Sequence, residues 1–575
     1  MQKYIFSGSK LSTYIGASHN TANLFRTVMC GVLTEMIREG RLQMSGPEAE
    51  WAEAWKQLGR EATYDSFPEG DDFIVAQIGG GKIILIFRPE LVPDGDTSLL
   101  KAVINRFTKK VLRLYPGLHT GAVIGEVILD EHFFDRQQSG REPYGYGIES
   151  LFKALHDNQD TVYPVVSPPY TGLTLTCTVN GEPASHYDAD HTIRTDWQEK
   201  PRFFSQEVYA KAAAARTTND YIRTEFFKNE CGDYELPLEF EQLGYKEGES
   251  YIAVVHIDGN KMGVKFQGCR TWGAYNATAL SVQESTKEAY RKLVRYIAER
   301  YGNWQESGEL ALDGRHLPIR PLILGGDDVA FVCTARIALE ATRYYMEALL
   351  HPEQDSAANG QQAQGASLMP IYSCAGIAII PAKYPFGRGY ELAEQLCSEA
   401  KKMSRGIPDD DGNTPDSCWL DFAILHGEQE PELTQIRRQE YSARKGSLHF
   451  GPYLVAQSKD APPANMFFHV QHLLDCVKAL RSGMHRKGGV PHGKLKELRS
   501  VLAHDEHGMK AYLTQLQHLK LQLPCIEGWD GMEKDLWQLC TEETNGSRHE
   551  VWRTPYVDAI EMLDFTMKEA EPSGE

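Results

Sequence analysis

Two carboxylates, Asp327 and Asp328, follow two glycines in the run Gly325-Gly326-Asp327-Asp328, between the apolar stretches Arg-Pro-Leu-Ile-Leu and Val-Ala-Phe-Val-Cys. Short apolar runs on either side of a glycine-containing pair read as antiparallel strands joined by a tight turn. Gly325 and Gly326 permit that turn and let a ligand come close to the backbone. Acidic groups held this close repel one another unless a cation lies between them. A third carboxylate, Asp258, closes the apolar run YIAVVHI and opens the segment Asp258-Gly259-Asn260-Lys261-Met262-Gly263. Asp258, Asp327 and Asp328 are therefore the candidate catalytic and metal-binding residues, with Mg²⁺ or Mn²⁺ as the cation suited to an all-oxygen site. Two such ions on shared carboxylates activate an attacking 3′-hydroxyl and neutralise a leaving pyrophosphate, which is the chemistry of nucleotidyl transfer. Gly259, Asn260, Gly325 and Gly326 are candidate nucleotide contacts. Lys401 and Lys402 offer flexible ammonium groups that reach a triphosphate, or else simply complement the end of the helix they follow.

These residues meet only if the elements around them bring them together. Tyr290, Leu293, Val294 and Ile297 recur at helical spacing after the first strand, and a second helix is expected over residues 336–350 after the hairpin. The apolar run at residues 371–380 is stopped by Pro381 and leads into a helix carrying Leu392, Ala393, Leu396 and Ala400. Strand, helix, hairpin, helix, strand, helix is the ferredoxin-like order, in which the first strand and the hairpin lie side by side in one sheet. Asp258 then converges on Asp327 and Asp328 from a neighbouring strand.

A second copy of the hairpin is visible upstream. Residues 77–87, QIGGGKIILIF, can be laid on residues 323–333, ILGGDDVAFVC, so that Gly79-Gly80 match Gly325-Gly326 while Gly81 and Lys82 stand where Asp327 and Asp328 would be. Thr120-Gly121-Ala122-Val123-Ile124 echoes Cys374-Ala375-Gly376-Ile377-Ala378 as a following strand. The first copy cannot bind a cation through this turn, but Gly79, Gly80 and Lys82 can receive phosphate. The expected fold class is α+β, with two ferredoxin-like palm domains, one catalytic and one nucleotide-holding or structural, followed by a C-terminal helical domain.

Together the GGDD hairpin, DGNKMG at the strand end, SCAGIAIIPAKYPF at residues 373–386 and AEQLCSEAKK at residues 393–402 resemble the second palm domain of the large, polymerase-like subunit of type III CRISPR effector complexes. The opening YIFSGSKLSTYIGAS is similar to the start of that family's first palm, so the resemblance spans roughly residues 1–430. It implies a fold related to nucleotidyl cyclases and polymerases, conversion of ATP into cyclic oligoadenylate second messengers, and partners that include guide or target RNA and other type III effector subunits. The residues by themselves are equally compatible with ATP or GTP. The family often carries a zinc module between its palms, whereas Cys177 and Cys231 here have no neighbouring second cysteine; no zinc is expected, with His186 and His191 the only additional donors considered. An HD nuclease domain, frequent in the family, is not expected either: His156-Asp157 and His504-Asp505 lack a set of further ligands.

Length and composition agree with several domains. The chain has 575 residues, 42% hydrophobic and 24% charged, which are globular values. The expected division is a degenerate first palm at 1–160, an intermediate segment at 161–245, the GGDD palm at 246–430 and a helical domain at 431–575. Eleven cysteines without a CxxC pair suggest reduced thiols, and the absence of an export signal or a membrane-length apolar run suggests a soluble, cytoplasmic protein. A net charge of -19 argues against a surface that coats long nucleic acid. Local basic clusters remain: Arg437, Arg438, Arg444 and Lys445 around Tyr441, and Lys478, Arg481, Arg486, Lys487, Lys494, Lys496 and Arg499. They read as solvated helix faces or as RNA contacts. Residues 353–367 and 404–416 read as loops, and Phe467, Val470, Leu473, Leu474, Val477 and Leu480 mark the helical end of the chain.

Three functions stand on this sequence. The first is a two-metal nucleotidyl cyclase making cyclic oligoadenylate. The second is a cyclic-dinucleotide or cyclic-mononucleotide synthase working alone or as a homodimer. The third is a non-catalytic scaffold of an RNA-guided complex. Intact carboxylates favour an enzyme.

Overall fold

The computed structural model describes residues 2–44, 70–125, 148–161, 172–188, 202–244, 251–352, 368–405, 415–427, 432–524, 529 and 536–567, apart from one to three residues at a time within these stretches. Its centre is a six-stranded sheet. Strand β5 (Tyr251–Gly259) is followed by a long helix, α8 (Trp272–Glu306), the hairpin β6 (Ile319–Gly325) and β7 (Asp328–Thr334), helix α9 (Ala338–Leu350), strand β8 (Ser373–Pro381) and helix α10 (Phe386–Ser404). The order across the sheet is β8-β5-β7-β6, the 4-1-3-2 arrangement of a ferredoxin-like fold, and all of these neighbours are antiparallel. Strand β9 (Ser417–Ile424) adds parallel to β8, and β11 (Tyr453–Gln457) adds antiparallel to β9.

The apolar run of β5 is buried from Ile252 to Ile257 because helices cover both faces of the sheet. One face meets α8 and α9, where Tyr290 packs edge-on against Phe331 and Tyr345. The other face meets α10, whose Gly389 lies against Ile380 and Val254. Pleating sets alternate residues on opposite faces, so Val254, His256 and Asp258 all belong to the α10 side.

The first palm copy is built from helices α2 (Leu11–Leu24) and α3 (Cys30–Arg38), hairpin β1 (Phe73–Gly79) and β2 (Lys82–Phe87), and helix α4 (Ser98–Leu114). Most of the opening segment, from Leu11 onward, is helical. The hairpin reproduces β6–β7 pair for pair: Phe73↔Phe87 corresponds to Ile319↔Cys333, and Gly79↔Lys82 to Gly325↔Asp328. Even the β-bulge recurs, between Val75 and Gln77 in one and between Pro321 and Ile323 in the other. Its Phe73 and Val75 join a core with Val103, Phe107 and Val111 of α4 and Val32 of α3. Its opposite face, Ala76 with Ile84 and Ile86, packs on Cys269, just before α8, and on Tyr275 in its first turn, which seats the first copy against the second. The expected following strand does not form: residues 120–124 carry no strand, and β1 and β2 make a two-stranded sheet. An apolar run becomes a strand only where a neighbour completes its hydrogen-bond ladder.

The C-terminal part contains helices α12 (Val470–Met484), α13 (His492–His504), α14 (Glu506–His518) and α15 (Tyr556–Met562), and also a hairpin, β12 (Gln538–Thr544) with β13 (Ser547–Arg553), which the sequence did not suggest. It is fastened to the central sheet by a buried polar cluster. His449 bridges two carboxylates, with Nε2 2.8 Å from Asp421 Oδ1 and Nδ1 3.0 Å from Asp558 Oδ1. Arg437, on helix α11 (Leu433–Glu440), also donates to Asp421 Oδ1 at 3.0 Å. The other Asp558 oxygen accepts from the Phe450 backbone N–H at 2.9 Å and from the Tyr453 hydroxyl at 2.6 Å. Arg437 was expected on a solvated or RNA-facing surface, yet it is largely buried and paired with Asp421. Arg481 likewise donates to carbonyls at the chain's end, including Met567 O at 2.9 Å, and Arg499 pairs with Glu561 at 3.1 Å. Basic residues at helical spacing are indistinguishable in sequence from a solvated face until their acidic partners fold against them.

Burial and the Arg437 charge push the His449 pKa down, but Asp558 and Asp421 outweigh them and the net shift is upward. A raised folded-state pKa contributes stability that is full below the unfolded value, roughly 6.5, and is lost as pH climbs through the folded value. H449N, which leaves the buried carboxylates short of a positive partner, should cost about 3 kcal/mol or more at pH 6. The deficit relative to wild type should shrink toward pH 9, as read by urea unfolding at both values.

Candidate active site

The sheet brings the three sequence-predicted carboxylates to one end. Ile257 pairs with Val329, so Asp258 at the end of β5 stands across from Asp328 at the start of β7. Between Gly325 and Asp328 the chain turns through only Gly326 and Asp327, and Gly326 has φ +71°, the left-handed region that a two-residue hairpin turn demands. A Cβ on Gly326 would find no atom within 4 Å, so the outer side of the turn is open to a ligand. Gly259 is needed for a different reason. A Cβ there would lie 2.9 Å from the Cβ of Asp327 and 2.9 Å from Met262 Cγ, so only glycine lets the turn close over the strand end.

Gathering these groups shifts them. Burial, then the charges of Asp258, Asp327 and Glu394, push the Asp328 carboxyl up to about 7, against the pull of Lys401. Asp327 is raised by burial and by Asp258, with Lys401 and Lys82 opposing. Lys401 forms an ion pair with Asp258, so an ammonium takes up one carboxylate of the cluster. Lys82 comes from the first hairpin, with its Nζ 4.4 Å from the Phe152 ring centre, and its charge acts on Asp327 across the two copies. The position that matches Asp328 in the first copy thus carries a positive charge that acts on Asp327 of the second.

Other predicted contacts fall elsewhere. The buried Asn260 amide donates to Ser417 O at 2.9 Å and Ser404 Oγ at 3.0 Å, which pins the end of β5 to β9 and α10. Lys402 points outward to Glu399 at 2.7 Å. Both lysines lie within the last turn of α10 and do not follow it. Gly79 ends β1 beside Lys82, while Gly80 lies outside the described residues, as do His191, residues 353–367 and 406–414, and Asp505. Cys177 and Cys231 belong to separate cores, and His186 stacks on Tyr209 at 4.0 Å.

Three site residues escaped the sequence reading. His256 sits two residues before Asp258, so pleating alone places it on the same face. Its Nδ1 is 3.5 Å from Asp328 Oδ1, and burial lowers its pKa to about 4, leaving a neutral ring. Tyr390 and Glu394 share one side of α10 with Lys401, at spacings of four and seven residues. The Tyr390 hydroxyl is 3.2 Å from His256 Nδ1.

Asp328 Oδ1 is buried and has no hydrogen-bond partner, although the side chain as a whole is 36% exposed. A buried carboxyl oxygen left unsatisfied beside two further carboxylates is chemistry suited to a hard divalent cation, whose charge would favour the ionised form. Among the described residues, no three His, Cys, Asp or Glu side chains surround a common point. Mg²⁺ does not need such a cage, because it keeps its waters and binds through one or two carboxylates plus substrate phosphates. Asp327 and Asp328 fit that role, while Asp258 is paired with Lys401.

No family model matches the chain, and no curated protein does. Solved structures do align. The apo type III-B Cmr-beta complex seen by electron cryomicroscopy gives a TM-score of 0.42 at 10% identity, covering 98% of this chain and 80% of the other. The crystal structure of a Csm1–Csm4 cassette with cA3 gives 0.38 at 11% identity, covering 98% and 68%. Csm1 of T. onnurineus gives 0.33 at 13% identity, covering 99% and 68%. With all three below 0.5, the fold assignment rests on the strand order and register themselves. No helix among the described residues is long and apolar enough to cross a membrane.

G259A should displace the Asp327 turn and cost about 1–3 kcal/mol in unfolding free energy, the range of an overpacked site. The same substitution should weaken Mn²⁺ binding measured by electron paramagnetic resonance. Wild-type affinity in a folded G259A protein would show that Asp327 does not depend on this close approach.

Proposed function

We propose that the chain is a palm-type nucleotidyltransferase that links ATP into cyclic oligoadenylate-type messengers, as the large subunit of a type III CRISPR-like effector complex. The observation that carries the reading is the meeting of Asp258 with Asp327 and Asp328 at an open glycine turn, with one Asp328 oxygen buried and unsatisfied. Asp327, Asp328 and Asp258 would hold Mg²⁺ or Mn²⁺, which when bound supplies charge neutralisation and lowers the pKa of an attacking hydroxyl. The open side of Gly326 admits a triphosphate, and the peptide there carries no side chain to obstruct it. Lys82 places a positive charge opposite Asp327, on the side where a second nucleotide's phosphates would lie, which gives the first palm copy a binding role without carboxylates. Lys401 neutralises Asp258 while no cation is present and is near enough to pass to a phosphate oxygen. The motif resemblance supplies ATP, ring closure, RNA and effector subunits as the remaining parts of this reading.

The test is incubation of the purified chain with radiolabelled ATP or GTP and Mg²⁺ or Mn²⁺, with and without RNA, resolving products by chromatography and mass. Cyclic or oligomeric products that vanish in D327A/D328A, with unchanged melting, are the expected outcome. Turnover retained in the double variant would sink the site assignment. Nucleotide binding without any product would favour the scaffold, and products formed without RNA would favour the stand-alone synthase.

K82M separates the role of the first palm. Loss of one charged phosphate contact, worth about 1.5–3 kcal/mol, should reduce kcat/KM at least about tenfold while leaving Mn²⁺ binding intact. An unchanged kcat/KM would make the first copy purely structural.

A further inference from the structure

Strand β6 carries a cation in the core that the chemistry above does not use. Arg320 is wholly buried, opposite Val332 of β7 and at the other end of β6 from the Gly325 turn. Its Nη1 donates to Asn219 Oδ1 on helix α6 (Gln206–Tyr221), but Nε and Nη2 have no hydrogen-bond partner. Burial lowers its pKa to about 10, which leaves it charged at neutral pH, and the groups that act on it are Tyr290 and Cys231. Neither supplies a counter-charge. Burial pushes the Tyr290 hydroxyl well up and the Cys231 thiol to about 12, so both are neutral donors. The Tyr290 hydroxyl, also wholly buried, has no hydrogen-bond partner either. Glu230, beside Cys231, is paired with Arg295 at 3.3 Å. A guanidinium, a phenol and a thiol therefore lie close together in the core, and among the described residues no carboxylate pairs with the guanidinium. Burying a charge without a counter-charge is strongly destabilising, and each unmet donor adds to the cost.

We propose that Arg320 and Tyr290 form an internal binding site for one small monovalent anion, with chloride as the type. The anion accepts from Arg320 Nε and Nη2 and from the Tyr290 hydroxyl, and its single negative charge balances the guanidinium. Size and charge exclude larger anions. Arg320, Tyr290, Cys231, Phe331 and Val332 are all 0% exposed, so the site has no mouth through which a nucleotide's phosphates could extend. A phosphate would also bring more acceptor oxygens than these donors can match, whereas a halide is a single sphere that accepts from several donors at once. Once balanced, Arg320 links three elements from within: β6, which carries it, α6 through Asn219, and α8 through Tyr290 and the shared anion.

The full chain, dialysed free of chloride, is melted as sodium chloride replaces sodium gluconate at constant ionic strength. The melting temperature should rise by about 3 °C for each tenfold increase in chloride above its dissociation constant. R320M keeps most of the side-chain volume and removes the charge, so its melting should lose this dependence. Y290F removes one donor to the anion and keeps the ring, so it should need about tenfold more chloride for the same rise. Crystals of the wild-type chain grown in sodium bromide should show an anomalous bromine peak within hydrogen-bond reach of the Arg320 guanidinium and the Tyr290 hydroxyl. Melting indifferent to chloride, a chloride response that R320M shares, or a guanidinium without bromide beside it would each overturn the proposal. If R320M does not fold, the bromide position decides alone.

Discussion

Like charges at the mouth of β5 and β7 are the constraint on which the rest of this architecture turns. Carboxylates directly across a strand pair destabilise the pair, and burial makes the repulsion worse. Asp258, Asp327 and Asp328 nevertheless meet there, and both Asp327 and Asp328 respond with raised pKa values. Such an arrangement persists only where surrounding structure determines it, and here it does. Strand β5 is buried on both faces, its register is locked by nine pairs with β8 and six with β7, and Asn260 ties the strand end to β9. The side chains cannot move apart without breaking a ladder. Lys401 offsets part of the repulsion, which makes its ammonium a resident cation in the protein alone.

The duplicated hairpin explains how such a site is framed. Register, bulge and turn position are the same in β1–β2 as in β6–β7, while the turn chemistry differs at two positions. Backbone geometry is set by the pleat, the bulge and the glycines, none of which depends on the two residues that changed. With Gly81 and Lys82 where β6–β7 has two carboxylates, the turn differs in charge but not in register, and the Lys82 charge acts on Asp327. A second acidic turn in that position would have added to the repulsion; a basic one relieves it.

Much of this was legible from residue order because the informative signals were local. Apolar runs ending in Asp258 and flanking Gly325 to Asp328 determine strand ends, and the strand–helix–hairpin–helix–strand order admits few sheets. What escaped detection depended on pairing between distant segments. Asn260 looked like a nucleotide contact because it follows Asp258, but its amide found partners at Ser404 and Ser417, whose positions only the folded sheet supplies. Arg437 looked solvated until Asp421 and His449 closed on it. Strand β12 and β13 are rich in Gln, Glu, Ser and Arg and lack an apolar alternation, so their pairing could not be read from pattern. Thr120 to Ile124 erred in the opposite direction, an apolar run without a ladder.

The C-terminal segments bear on the site through stiffness. Strand β11 extends the central sheet beyond β9, and the Asp421–His449–Asp558 cluster anchors β9 to α15. Buried ion pairs are poor sources of net stability, since desolvation cancels most of their attraction. Their geometric demands are strict, however, and a histidine bonded through both nitrogens admits one arrangement of its two carboxylate partners. Because β9 pairs with β8, and β8 with β5, that arrangement is transmitted by backbone hydrogen bonds to the strand that carries Asp258. A site built from mutually repelling groups needs a sheet that does not yield, and a wide sheet fastened at its far edge by a directional polar cluster meets that need better than an apolar contact that tolerates sliding.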